Sequence, residues 1–116
     1  MNSTTASTPS TREAINMQAF LDRDGFFREP SAWTPELAEH LAHLDGLPPL
    51  TSEHWVIIDA LRDHYSRFGA TPPAFAHLCT QMHRDMYCVV RLFRSEREAW
   101  RLAGLPDPGE EAKAYL

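Results

Sequence analysis

Helix punctuation constrains this chain more than any other feature, because starts and stops recur along most of its length. Thr34 offers a capping hydroxyl ahead of Pro35 and Glu36, and Asp45-Gly46 marks the stop. Between them Leu37, Leu41 and Leu44 fall on one stripe. Thr51 or Ser52 caps a second helix running to about Phe68, with Trp55, Ile58, Leu61, Tyr65 and Phe68 at helical spacing and Gly69 as its end. Thr71-Pro72-Pro73 opens a third, whose inward face is Phe75, Leu78, Cys79 and Met82. The apolar run from Met86 to Phe93 reads as a fourth helix packed on the third. Ser95 with Glu98 fits a capping box for a short last helix, ended by Gly104. Ahead of all these, Asp22-Arg23-Asp24-Gly25 is a turn signal between Phe20-Leu21 and Phe26-Phe27, which predicts a small β-hairpin. The expected fold is therefore mainly α, with an N-terminal hairpin and a stiff C-terminal arm bearing Pro106 and Pro108.

A length of 116 residues fits one domain with a single modest core. The division expected is a polar disordered tail over 1–13, a helical domain over 14–104 and an arm over 105–116. Met1 to Ser10 has neither the basic nor the apolar region of a secretory leader, and no run approaches the roughly 18 apolar residues that span a bilayer. Two cysteines, Cys79 and Cys88, lack CxxC spacing and suggest neither a disulfide framework nor a zinc knuckle. A cytoplasmic location and no membrane partner follow. A net charge of −5 argues against general nucleic-acid binding, which needs a basic field. Five arginines nevertheless lie between Arg84 and Arg101, against Asp85, Glu96 and Glu98.

Taken in order, these signatures resemble one family. The residues are Leu21 to Phe27, Trp33, Leu50 to Trp55 with its His54-Trp55 pair, Arg62 to Tyr65, Thr71-Pro72, Arg91-Leu92-Phe93, and Leu102-Ala103-Gly104-Leu105-Pro106 with Pro108. The chain is similar in these to the DsrC/TusE family of small sulfur-relay proteins, over roughly residues 15 to 111. One branch of that family acts with dissimilatory sulfite reductase, another in thiolation of the tRNA wobble uridine. The resemblance implies a small orthogonal helical bundle with an N-terminal hairpin and a mobile arm. It also implies a protein partner in a sulfur-relay or sulfite-reductase-like system, and no cofactor.

In the family the arm works through a penultimate cysteine, since a thiolate on a flexible arm can reach a partner's active site. Aligned through Ala103-Gly104-Leu105-Pro106, that cysteine falls on Glu111, and the second arm cysteine of sulfite-reductase-associated members falls on Trp100. Neither is a thiol, and a glutamate cannot carry sulfane sulfur. The family's usual arginine after the Ser/Thr-Pro opening is Phe75 here, and the lysine of its Leu-Pro-Lys-Pro segment is Asp107. Changes in concert suggest a repurposed paralogue.

Three residue groups carry competing readings. Cys79 and Cys88 are either small hydrophobes of the core or substitute sulfur acceptors, and Arg84 and Arg91 bracket Cys88. Glu36, His40 and His43 share a helix face as a partial metal ligand set would, but a solvated face explains them without a fourth ligand, so no metal is expected. His54 reads as a hydrogen-bonding residue near a helix start. If residues 91 to 101 were one helix, Arg91, Arg94, Arg97 and Arg101 would share about a third of its circumference. The Ser95 box argues for a break there. That stripe is a solvated, salt-bridged face or a docking surface.

The expectation is a non-catalytic interaction or regulatory protein of sulfur metabolism, docking through Arg91, Arg94, Arg97, Trp100, Arg101, Leu105, Pro106 and Pro108. The alternative is a sulfur carrier or sulfurtransferase using Cys88 or Cys79. A further alternative is a DNA-binding regulator using the helix pair around Thr71 and the arginine stripe. The partner, the pathway and the oligomeric state are not encoded in these patterns.

Overall fold

Six α-helices carry the architecture in the computed structural model, which describes residues 15–116. They are α1 (Pro35–Leu44), α2 (Ser52–Phe68), α3 (Phe75–Gln81), α4 (Cys88–Phe93), α5 (Glu96–Leu102) and α6 (Glu110–Lys113). Short 3-10 turns at Met17–Ala19 and Pro30–Ala32 precede them. The polar tail expected over 1–13 lies outside the described residues.

The caps are local chemistry made visible. Thr34 Oγ1 accepts from the Leu37 N–H at 3.1 Å, and Ser95 Oγ accepts from the Glu98 N–H at 2.9 Å. At α2 the reciprocal box is closed by a histidine where Glu or Gln usually stands: the Thr51 N–H donates to His54 Nδ1 at 3.0 Å. α3 begins later than the Thr71 signal predicts, with Ala74 at its cap position and no side-chain cap. The reason is steric, since Thr71 and Pro72 each precede a proline and are held extended.

The hairpin is not formed. Among the described residues Leu21 and Phe27 make one isolated antiparallel bridge, and no strand grows from it. The turn itself is present: Asp22 Oδ1 accepts from the N–H groups of Asp24 and Phe26 at 2.9 and 3.0 Å. Beyond it the Phe27 N–H donates to Leu105 O at 3.2 Å, so the segment is bonded to the C-terminal chain and not to a ladder. Phe26 and Phe27 are both buried, whereas a two-stranded ribbon on one core would leave alternate side chains in solvent.

α5 is the central element, packed on α1, α2 and α4. Ala99, Trp100, Leu102 and Ala103 are completely buried, against Ile57, Ile58 and Leu61 of α2 and Leu41 and Ala42 of α1 within the same core. The stripes are shifted slightly from their expected faces. Leu44 and Phe68 point outward, at 58% and 65% exposure, while Ala38, His54 and Ile57 point in.

One expectation about the cysteines is overturned. Cys79 on α3 and Cys88 on α4 are joined in a disulfide, their Cα atoms 5.9 Å apart. Sequence spacing gave no hint of this, because the pairing follows from α3 packing against α4, with both cysteines on buried faces.

Candidate functional site

The residues that carry the site sit where α5 ends and the arm begins. A helix C-terminus leaves its last carbonyls without intrahelical donors, and here each finds one. Gly104, at φ +76°, turns the chain so that its N–H donates to Arg101 O at 2.9 Å and the Leu105 N–H donates to Trp100 O at 3.3 Å. The other two are met from outside the helix. Trp33 Nε1 donates to Leu102 O at 2.8 Å, and an Arg62 guanidinium N–H donates to Ala103 O at 2.7 Å. Arg62 also donates to Pro30 O at 3.2 Å and lies 4.2 Å over the Trp33 ring. Burial lowers its pKa below the ordinary value, yet an arginine keeps its charge.

Trp100 locks the arm to this base. Its ring is fully buried, and its Nε1 donates to Pro106 O at 2.7 Å. Leu105 is fully buried beside it, and Pro106 and Pro108 are half-buried. The chain then folds back as α6. Lys113 Nζ reaches Asp24 Oδ2 at 2.8 Å, Asp107 Oδ2 at 2.9 Å and Glu110 Oε2 at 3.0 Å, tying the arm to the N-terminal turn. These three acceptors raise the pKa of Lys113 above its usual value. The Lys113 ammonium lowers that of Asp24, while Asp107 is lowered first by the Gly109 N–H and then by Lys113. Leu116 packs against the core, leaving a cleft between Ala112, Tyr115 and Leu116 on one side and Thr71 to Ala76 on the other. Glu111 is exposed on α6.

The arginines lie on two helices rather than one. Arg94 sits at φ +74°, and the backbone breaks there between α4 and α5. Arg91 pairs with Asp85 at 2.9 Å and Glu53 at 3.2 Å; Arg94 donates to Gly46 O at 2.7 Å. Arg97 donates to Asp24 O at 3.0 Å and lies over the Phe26 ring. Arg101 donates to Gly25 O at 2.7 Å and pairs with Asp45 at 2.8 Å and Glu98 at 2.7 Å. Burial, and then the neighbouring Asp45 carboxyl, push the Glu98 carboxyl up to about 8 against the opposing pull of Arg101.

Other predicted residues fall elsewhere. Cys79 and Cys88 are completely buried and bonded to each other. His54 is buried at the start of α2; its Nδ1 accepts from Thr51, so Nε2 carries the proton that it donates to Leu92 O at 2.9 Å. Among the described residues no three His, Cys, Asp or Glu side chains converge in a metal-binding arrangement, and no helix is long and apolar enough to cross a membrane. The sequence patterns give no site role to Trp33, Arg62 or Lys113, and mark Asp24 only as part of a turn. Trp33 and Arg62 stand among the residues of the family resemblance, which was the available signal. Lys113 had none, because its partners are far away in sequence.

Residues 13–110 match the family model described as DsrC like protein. The sulfurtransferase TusE of Escherichia coli (strain K12) is 30% identical over 95 residues, covering 75% of this chain and 86% of that protein. The dissimilatory-type sulfite reductase subunit gamma of Nitratidesulfovibrio vulgaris is 32% identical over 90 residues, covering 76% of this chain and 85% of that protein. The crystal structure of the oxidized gamma-subunit (DsrC) of Archaeoglobus fulgidus is similar at a TM-score of 0.64 and 34% identity, covering 76% of this chain and 87% of that one. The match runs from the N-terminal turn through the Trp100–Pro106 base of the arm, and on it the chain belongs to the DsrC-like family.

Proposed function

We propose that this protein serves sulfur metabolism as a docking or regulatory member of the DsrC-like family, meeting a sulfur-relay partner without carrying sulfur itself. The observation that carries the reading is the chemistry at the two arm positions. Trp100 is a buried indole that fastens Pro106, and Glu111 is an exposed carboxylate; neither is a nucleophile for sulfane sulfur. The arm nonetheless keeps its Leu105-Pro106 base and its half-buried prolines, so a partner that recognises this shape meets it here too. A carrier using Cys88 or Cys79 needs a free, exposed thiolate, and both are buried in one disulfide. A DNA-binding role is not favoured either, because Arg91, Arg94, Arg97 and Arg101 all have intramolecular partners.

The test is competition. In a reconstituted sulfur transfer with a cysteine-bearing family member, added protein should slow transfer while gaining no mass. A chain ending at Ala103, which lacks Leu105, Pro106 and Pro108, should compete at least about tenfold less well. A persulfide adduct of about 32 Da on the full-length protein, passed on to an acceptor, would overturn the reading.

A further inference from the structure

The Cys79–Cys88 disulfide stands outside the site just described, with both cysteines completely buried in the core. The two helices it joins are short, seven residues for α3 and six for α4, and neither has a side-chain cap at its start. Helices of this length do not persist without tertiary support. α4 has such support independently: it packs on α2 and α5, and its Leu92 carbonyl accepts from His54. Among the helices α3 packs mainly on α4, and beside the disulfide it is held by Phe75, buried in the core, with Leu78 and Met82 packed against that core. The disulfide is therefore the covalent fastening of α3 to α4, beside this apolar contact.

Two further features surround it. Between the cysteines the chain turns through His83 at φ +61° and then exposes Met86 and Tyr87 at 50% and 67%. At the other end, the Thr71 to Ala76 segment that leads into α3 forms the wall of the cleft facing Ala112, Tyr115 and Leu116 of the arm. Whatever loosens α3 loosens the seat of the arm's end.

We propose that Cys79 and Cys88 form a thiol–disulfide switch that sets the order of α3 and, through it, the seating of the C-terminal arm. The reductant is a dithiol. Local opening of the 82–87 turn admits one dithiol thiolate, which attacks a cysteine sulfur, breaks the Sγ–Sγ bond and forms a mixed disulfide. The second dithiol sulfur displaces the remaining cysteine. Two electrons pass to the protein, the two cysteine sulfurs take up two protons, and the dithiol leaves as a cyclic or protein disulfide. Because the cysteines are nine residues apart in one local unit, they stay close when reduced and re-form the bond when a low-molecular-weight disulfide returns. This switch does not depend on which partner the arm meets.

Hydrogen exchange read by mass spectrometry tests it on the full chain, oxidised and in excess dithiothreitol. The reduced protein should be heavier by about 2 Da. Amides of 75–87 and 112–116 should exchange at least about tenfold faster in it, while those of α2 and α5 hold their protection. A Cys79→Ala/Cys88→Ala chain should match the reduced pattern and ignore dithiothreitol. Should that variant fail to fold, the reductant titration of the unaltered chain decides alone. Unchanged exchange in both segments on reduction would overturn the proposal, as would loss of protection throughout the chain. So would two thiols that no oxidised dithiol converts to a disulfide.

Discussion

Gly104→Ala tests the arm base directly, because a matched control exists in the same molecule. Gly46 and Gly104 follow α1 and α5 in the same way: each donates to the carbonyl three residues back, and the next residue donates five back. Their φ angles are +80° and +76°, so alanine costs about 1–2 kcal/mol of backbone strain at either, offset by about 0.4–1 kcal/mol from a stiffer unfolded chain. What differs is the space. A Cβ on Gly46 would have Arg94 as its neighbour at 3.7 Å, an ordinary contact. A Cβ on Gly104 would fall within 2.6 Å of Cβ, Cγ and Cδ1 of Trp33. The indole must then move, giving up its hydrogen bond to Leu102 O, about 1 kcal/mol, and the Arg62 stacking, about 0.5–1 kcal/mol. Gly104→Ala is expected to destabilise by about 2 kcal/mol more than Gly46→Ala. Urea unfolding of the two variants and the parent, with equal m-values, measures that difference. Equal destabilisation, within about 0.5 kcal/mol, would refute the claim that Trp33 and Arg62 hold the arm's root.

Other outcomes follow from the same contacts. Lys113→Ala should leave the thermal midpoint nearly unchanged but make the chain after Pro108 several-fold easier to cleave by protease, and about 0.5 M salt should do the same to the parent. Trp100→Phe removes the donor to Pro106 O and part of the core filling, and should cost about 1–3 kcal/mol in urea unfolding. His54→Ala severs the link from α2 to the Leu92 carbonyl and should cost about 2–3 kcal/mol, far more than an exposed histidine such as His43. Glu98 gives a pH signature. Its folded value near 8 lies above the ordinary 4.5, so the folded state keeps a proton that the unfolded chain releases. Stability from this group is intact below pH 4.5 and falls as pH rises towards 8. Glu98→Gln should flatten that decline between pH 5 and 8. A parent and variant with parallel pH profiles of Tm would contradict the assignment.

The sequence by itself determined where α1, α2 and α5 lie, because caps and stops are local. Thr34, Thr51, Ser95, Gly46, Gly69 and Gly104 each act on backbone groups within a few residues, and all mark boundaries close to those observed. It also determined the family. The Asp22–Gly25 turn was legible for the same local reason, but the hairpin was not. Whether Phe27 bonds a strand or the Leu105 carbonyl depends on a chain segment far along the sequence. The same holds for the Cys79–Cys88 bond, for the Lys113 clamp on Asp24, and for Arg62 and Trp33 closing the end of α5. Tertiary structure alone decided these. Each joins groups whose meeting depends on how short helices cross, and helix crossing is set by the packing of buried faces, which periodicity locates only to within a residue or so.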